Sequence, residues 1–313
     1  MQVFHGLSRS VPGRCALTIG NFDGVHRGHL ALLAHLRERA QARGLPVTVL
    51  TFEPHPREFF QPASAPARLT NLREKLNLLA AAGVERAFVC RFNRQFAMLD
   101  AEAFIREVLV ASLGVRYLLI GDDFCFGRGR QGGFSLLRAM SGPCGFELEA
   151  MPTIEVDGAR ASSSAIRDAL AAGDLDTAAR LLGRPFAIAG RVTVGNRIGR
   201  TLGFPTANIA LKRRRPPLAG IYAVRVHGGG LSAHPGAASL GVRPTIGDGL
   251  MPVLEVNLLD FDGDLYRAHL SVEFCAKLRD EEKYADLDAL KRQIAADVEA
   301  VRRYFTANSA VPR

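Results

Sequence analysis

Two of the eight histidines in this 313-residue chain, His26 and His29, fall within four residues of each other. They close the stretch Gly20-Asn21-Phe22-Asp23-Gly24-Val25-His26-Arg27-Gly28-His29. If that stretch opens a helix, the i, i+3 spacing puts both imidazoles on one face. Gly24 and Gly28 let backbone come close to a ligand. A helix start adds unpaired N–H donors and the positive end of a dipole, which suits phosphate. Two imidazoles there could hydrogen-bond a phosphoryl group whose charge grows in a transition state. The plainer alternative is a surface pair, or a metal half-site without further ligands. The expectation is a phosphate-binding loop built from Gly20, Asn21, Phe22, Asp23, Gly24 and Gly28, with His26 and His29 as catalytic candidates.

Three further stretches in the first half carry weaker signals. Ser162-Ser163-Ser164-Ala165-Ile166-Arg167 stands at another expected helix start. Its hydroxyls, backbone N–H groups and guanidinium could hold the outer phosphates of a nucleotide, although serines there also serve as simple N-caps. The run from Gly121 to Gly133 contains a formal Gly-x-Gly-x-x-Gly at Gly127, Gly129 and Gly132, with Glu149 at the distance of a ribose-binding acid. The match follows the fourth expected strand rather than the first, so a dinucleotide-binding turn is rejected. The loop reads as a flexible, basic and aromatic lid over a ligand, or as an ordinary glycine-rich turn. His55, pinned between Pro54 and Pro56, either lines the same site or stiffens a loop. No Gly-x-x-x-x-Gly-Lys-Ser/Thr is present, so nucleotide chemistry here is not of the P-loop type.

In the second half, Gly203-Phe204-Pro205-Thr206-Ala207-Asn208 places a hydroxyl and an amide carbonyl on one side of an extended segment. These are oxygen ligands of the kind Mg²⁺ accepts beside phosphate oxygens. Glu255, in the strand-like run Val253–Leu258, could deprotonate an attacking hydroxyl. The alternatives are a common turn composition and a carboxylate on a solvent face.

Two kinds of element must position these groups. Before Pro185, strands at Ala16–Ile19, Val47–Phe52, Glu85–Cys90 and Tyr117–Ile120 interleave with helices at Gly28–Ala42, from the Asn71 capping box to Ala82, and at Ala101–Leu113. That alternation implies a parallel sheet with right-handed crossovers. A helical pattern follows from Ser164 to Leu182. From Phe186 to Phe274 the chain shows short β-type runs broken by glycine and proline, read as an antiparallel barrel or sandwich, and then a helix at Leu287–Phe305. The expected domains are residues 1–185 and 186–313.

Composition sets outer limits. Hydrophobic residues make up 48% and charged residues 23%, as in a soluble globular chain rather than a disordered one. No apolar run is long enough to cross a bilayer and no secretory signal is evident, so a cytoplasmic, non-membrane protein is expected. Five cysteines without a Cys-x-x-Cys pair fit free thiols in a reducing compartment. The net charge of +9 is spread over both halves, and its one dense run is Lys212–Arg215, expected to be a solvated basic loop. Small anionic nucleotides explain that excess without nucleic-acid binding. Self-association stays open.

Taken together, the stretches GNFDGVHRGH, TFEPHP, GDDFCFGRGRQGG, SSSAIR, GRTLGFPTAN, GIYAV, GVRPTIG and LEVNLLDFDGDLYR occur here in the order and spacing of one family. The chain resembles the bacterial bifunctional riboflavin kinase/FMN adenylyltransferases over nearly its whole length. The resemblance implies a Rossmann-like α/β nucleotidyltransferase module of the His-x-Gly-His type, followed by a small β-barrel riboflavin kinase module. It implies ATP, riboflavin, FMN and FAD as substrates and products, with Mg²⁺. Under it His26 and His29 serve adenylyl transfer, with Ser162, Ser163, Ser164 and Arg167 on the phosphates. Thr206 and Asn208 then bind Mg–ATP beside Gly203 and Pro205, and Glu255 is the kinase base. Asp123, Phe124, Phe126 and Arg130 become flavin contacts. Ser164 stands where threonine is common in the family and keeps the hydroxyl.

Overall fold

The computed structural model describes residues 1–7, 13–152, 154–156, 158–195, 198–213, 215–244 and 250–308. It divides into two compact units: residues 1–66 with 72–163, and residues 67–71 with 164 onward.

In the first unit six parallel strands form one sheet in the order β1-β4-β3-β2-β5-β6. They are β1 (Gln2–His5), β2 (Cys15–Ile19), β3 (Val47–Glu53), β4 (Arg86–Arg91), β5 (Val115–Gly121) and β6 (Glu147–Met151). Every residue of the central strand β2 is buried, as parallel strands covered on both faces require. Cys15, Leu17 and Ile19 point to one face, where they meet Phe104, Ile105 and Leu109 and the helix α6 (Phe134–Cys144). Ala16 points to the other, where Leu33, Leu36 and Ala40 of α1 (Arg27–Gln41) and Leu79 of α3 (Leu72–Ala81) cover it. Shorter helices α2 (Pro56–Phe60), α4 (Arg94–Ala97) and α5 (Ala101–Ala103) lie between strands. Asp100 caps α5 by accepting from the Ala103 N–H at 2.8 Å, and the chain continues from α5 as a π-helix over Phe104–Ser112. A hairpin of β7 (Glu155–Val156) and β8 (Ala159–Arg160) completes the unit.

Strands β1 and β6 and helix α6 were not expected from the sequence. Both strands lie at the sheet's edges, β1 mostly exposed and β6 half-buried, and they lack the continuous apolar runs of the four central strands.

In the second unit β9 (Ala187–Thr193), β10 (Ala207–Ile209), β11 (Gly220–Gly228), β12 (Leu231–Pro244), β13 (Leu250–Leu258) and β14 (His269–Arg279) close an antiparallel barrel in the order β10-β13-β12-β11-β14-β9. Alternate residues such as Val224, Val226, Leu254, Val256, Val272 and Phe274 are buried inside it. The last helix, α10 (Leu287–Ala307), covers part of the outside, with Val298 and Val301 against Ala223 and Leu259. Arg279 and Asp297 join β14 to α10 through a two-pronged pair at 2.8 and 2.7 Å. A short helix α9 (Ile198–Thr201) precedes β10.

The helical pattern expected over 164–182 is two helices, α7 (Ser163–Ala172) and α8 (Leu175–Leu182). They part at Gly173, whose φ of +81° suits glycine, and Asp174 caps the second by accepting from the Thr177 N–H. The basic run is not a solvated loop at Arg213, which is buried. Its guanidinium donates to the Arg68 and Leu69 carbonyls and so ties residues 67–71 to this unit. Arg214 and the Thr245-Ile246-Gly247 stretch lie outside the described residues. Among the described residues no helix is long and apolar enough to cross a membrane.

Candidate active sites

In the first unit, β2 ends at Ile19 and the chain turns through Gly20–Val25 before α1 begins. Phe22 and Val25 adopt positive φ of 48° and 40°, a costly backbone for side chains of this kind, and both are buried. Gly24, with φ of +83°, takes the same region freely. His26 is the N-cap of α1, and its Nδ1 accepts from the His29 N–H at 3.4 Å. The His26 and His29 rings stack with centroids 3.7 Å apart, and the Phe22 ring lies 4.9 Å from His29. A Cβ on Gly28 would sit 3.1 Å from the Ala161 carbonyl and 3.2 Å from the His26 ring. Glycine at that position therefore permits the approach.

The two imidazoles are poised differently from surface histidines. Burial, then the neighbouring His26 and Lys75, hold His29 well below its ordinary pKa of 6.5. Its Nδ1 is buried with no hydrogen-bond partner among the described residues. An orphaned ring nitrogen beside a helix start is the donor geometry expected at a phosphate site. Ser163 belongs to the same constellation, because its Oγ donates to the Asp23 carbonyl at 2.9 Å. Ser162 is in this unit too, while Ser164 and Arg167 belong to the second, where the Arg167 Nε donates to the Ala67 carbonyl at 2.6 Å.

Loop 121–133 is closed on itself by paired hydrogen bonds between Phe126 and Gly132. A Cβ on Gly132 would fall 2.6 Å from the Phe126 ring. Phe124 and Phe126 stack at 5.5 Å, but Phe126 is buried against Phe104 whereas Phe124 is half-buried. Asp123 pairs with Arg160 at 2.6 Å, and Arg130 is exposed. Glu149 is no ribose acid in waiting. The Tyr117 hydroxyl donates to it at 2.6 Å, and His35 and Arg39 also pair with it, which locks α1 to β5 and β6. Burial opposes its charge, yet the bonds from Tyr117 and His35 keep its pKa low.

His55 turns out to be a helix cap: its Nδ1 accepts from the Arg57 N–H, and Glu58 closes a capping box over α2. That places Phe59 and Phe60, 36% and 62% exposed, beside Phe92 and Phe96 past the end of β4. Phe52 of β3 joins the group. The sequence reading missed this aromatic cluster, because its members come from three separate segments.

In the second unit, Asn208 on β10 is the direct cross-strand partner of Glu255 on β13, and Ser239 on β12 partners Glu255 from the other side. Directly paired residues share a face. The flanking Leu254 and Val256 are buried inside the barrel, so Asn208, Glu255 and Ser239 stand together on its outer face, each half-buried. Two glycines crowd this spot. A Cβ on Gly195 would overlap the Asn208 carboxamide, and one on Gly199 would lie 3.4 Å from the Thr206 Oγ1. Asn257 donates to the Pro205 carbonyl at 2.8 Å, fixing the chain that leads into β10. Gly203, with φ of +87°, sets the turn before it.

Among the described residues no three His, Cys, Asp or Glu side chains gather as a metal cage. The oxygens of Thr206 and Asn208 are neutral and few, a donor set that fits Mg²⁺ carried in with nucleotide phosphates rather than a resident ion.

Two family models match the chain, FAD synthetase over residues 8–165 and riboflavin kinase over residues 182–305. Curated relatives called bifunctional riboflavin kinase/FMN adenylyltransferase include proteins of Pseudomonas fluorescens, 52% identical over 305 residues (96% of this chain, 97% of that one), and of Escherichia coli strain K12, 50% identical over 301 residues (96% of each). The Haemophilus influenzae protein is 49% identical over 308 residues, covering 97% of this chain and 99% of its own. A solved structure from Streptococcus pneumoniae, titled a macrolide-efflux protein, superimposes with a TM-score of 0.79 at 30% identity over 96% of this chain and 99% of its own.

Proposed function

Because this chain belongs to the bifunctional riboflavin kinase/FMN adenylyltransferases, with both family models in sequence order, we propose how its residues divide the two reactions. The enzyme phosphorylates riboflavin to FMN with ATP, and then transfers an adenylyl group from ATP to FMN, giving FAD and pyrophosphate. We assign the kinase to residues 186–313 and the adenylyltransferase to residues 1–185.

In the kinase step a neutral ribityl hydroxyl attacks the γ-phosphorus and ADP leaves. An alcohol is a poor nucleophile, so a base that takes its proton lowers the barrier. Glu255 is that base: it is the carboxylate paired across the strands with Asn208, on a surface that two glycines keep clear. Thr206 and Asn208 would hold Mg²⁺ with the nucleotide, beside Gly203 and Pro205. The ion would supply charge neutralisation at the transferring phosphoryl group.

In the second step the FMN phosphate attacks the α-phosphorus. That nucleophile is already an anion and needs no base. The site therefore has to position and to neutralise. Gly20, Asn21, Phe22, Asp23, Gly24 and Gly28 form the phosphate loop, and His26 and His29 donate to the phosphates, His29 as a neutral imidazole. Ser162, Ser163, Ser164 and Arg167 serve the outer phosphates. Asp123, Phe124, Phe126 and Arg130 line the flavin side, and the exposed Phe59 and Phe60 extend it with aromatic surface suited to an isoalloxazine ring.

The observation that carries the assignment is the buried, unpartnered His29 Nδ1 in a loop whose conformation glycine and strain dictate. We place the enzyme in the cytoplasm, acting on small molecules without nucleic acid or membrane, and leave room for self-association. Incubation of the purified chain with riboflavin and Mg–ATP, followed by chromatography, tests the reading. FMN and then FAD should form, and neither should form when ATP or Mg²⁺ is left out.

A further inference from the structure

Lys75 is fully buried, at 0% exposure, in the first turn of α3. An ammonium taken out of water costs several kcal/mol unless its surroundings use the charge. The chemistry described above gives it no part. Its Nζ donates to the Thr51 Oγ1 at 3.5 Å, the outer limit of a hydrogen bond, and the equally buried Thr51 hydroxyl donates to the Asn21 carbonyl at 3.3 Å. The relay therefore runs from α3, across the end of β3, into the loop that precedes His26.

We propose that Lys75 is a positioning residue for adenylyl transfer, holding the Gly20–Gly28 loop through Thr51 and setting a fixed positive charge beside the stacked imidazoles. This rests on the reading of His26 and His29 as the adenylyl-transfer pair. Burial first, then the neighbouring His26 on its own turn and Lys75 from α3, hold His29 neutral. A neutral His29 can offer one ring N–H to phosphate while the standing charge nearby comes from Lys75, which reacts with nothing. No bond forms or breaks at Lys75.

The test uses the full-length enzyme with K75M, K75R, T51V and H29A. FMN adenylylation and riboflavin phosphorylation are measured across pH, and His29 is titrated by NMR with the H29A spectrum as its assignment. K75M should lower adenylylation turnover by about 10²-fold, the scale of loss when a positioning group is removed. It should also move the His29 titration upward and carry the acid limb of the adenylylation profile with it, while phosphorylation is unchanged. K75R should return the His29 titration towards wild type. T51V, which cuts the relay but keeps the charge, should lower turnover without moving the titration. A K75M enzyme with wild-type turnover, or with an unmoved His29 titration, overturns the proposal. If K75M does not fold, wild-type adenylylation in T51V overturns the relay. Undiminished adenylylation in H29A would instead sink the underlying assignment of the site, whatever K75M does.

Discussion

Glu255 stands on the outer face of its barrel between the buried Leu254 and Val256, paired across the strands with Asn208. Replacing it with Gln keeps the shape and removes the proton acceptor. Riboflavin phosphorylation by E255Q should fall about 10²–10⁴-fold in turnover, and a Mg²⁺ titration should not restore it. Recovery near wild-type turnover at high Mg²⁺ would make Glu255 a metal-binding group instead. His29 carries a prediction about stability. Its pKa is depressed in the folded chain by burial first, so acid protonates it mainly after unfolding. Its contribution is complete above the ordinary value of 6.5 and is lost as the pH falls from there towards the depressed folded value. H29Q should flatten the fall in unfolding midpoint below that point, measured by thermal melts across pH. An unchanged slope would mean that His29 is not held neutral. The candidate residues could be picked out in the sequence because His-x-Gly-His and Pro-Thr-x-Asn are local. The burial of Lys75 and of the His29 Nδ1 could not, since it depends on segments far apart in sequence.

The elements were legible where one period ruled. The central strands β2 to β5 carry continuous apolar runs, and α1, α3 and α10 carry helical ones. Edge strands β1 and β6 escaped because half-exposed strands of four and five residues resemble loops. The break between α7 and α8 was hidden because Leu175, Leu181 and Leu182 continue the apolar pattern past Gly173. The start of α1 lends itself to a direct test. Alanine in the first turn of a helix is normally stabilising by up to about 1 kcal/mol. At Gly28 the added methyl meets the Ala161 carbonyl and the His26 ring, so G28A should instead cost about 1–3 kcal/mol and depress adenylylation while phosphorylation holds. Calorimetry and the two assays read this out. A stabilised, fully active G28A would show that the contact gives way at no cost.

On the scale of the whole molecule, one chain carries two chemistries with different needs. In the proposed division, the adenylyl-transfer unit offers donors and a helix start to a nucleophile that is already charged, and the barrel offers a carboxylate to one that is not. The change of period near Pro185 suggested two modules in sequence, whereas the compact units divide between Ser163 and Ser164. The structure adds that residues 67–71 join the barrel's unit through Arg213 and Asn71, a pairing no local pattern encodes. The central claim is that the two sites are separate, and product analysis of full-length H29A tests it most directly. Given riboflavin and Mg–ATP, H29A should make FMN at the wild-type rate and convert it to FAD about 10²–10³-fold more slowly, so that FMN accumulates. Equal loss of both reactions, in a protein that melts like wild type, would contradict two separate sites.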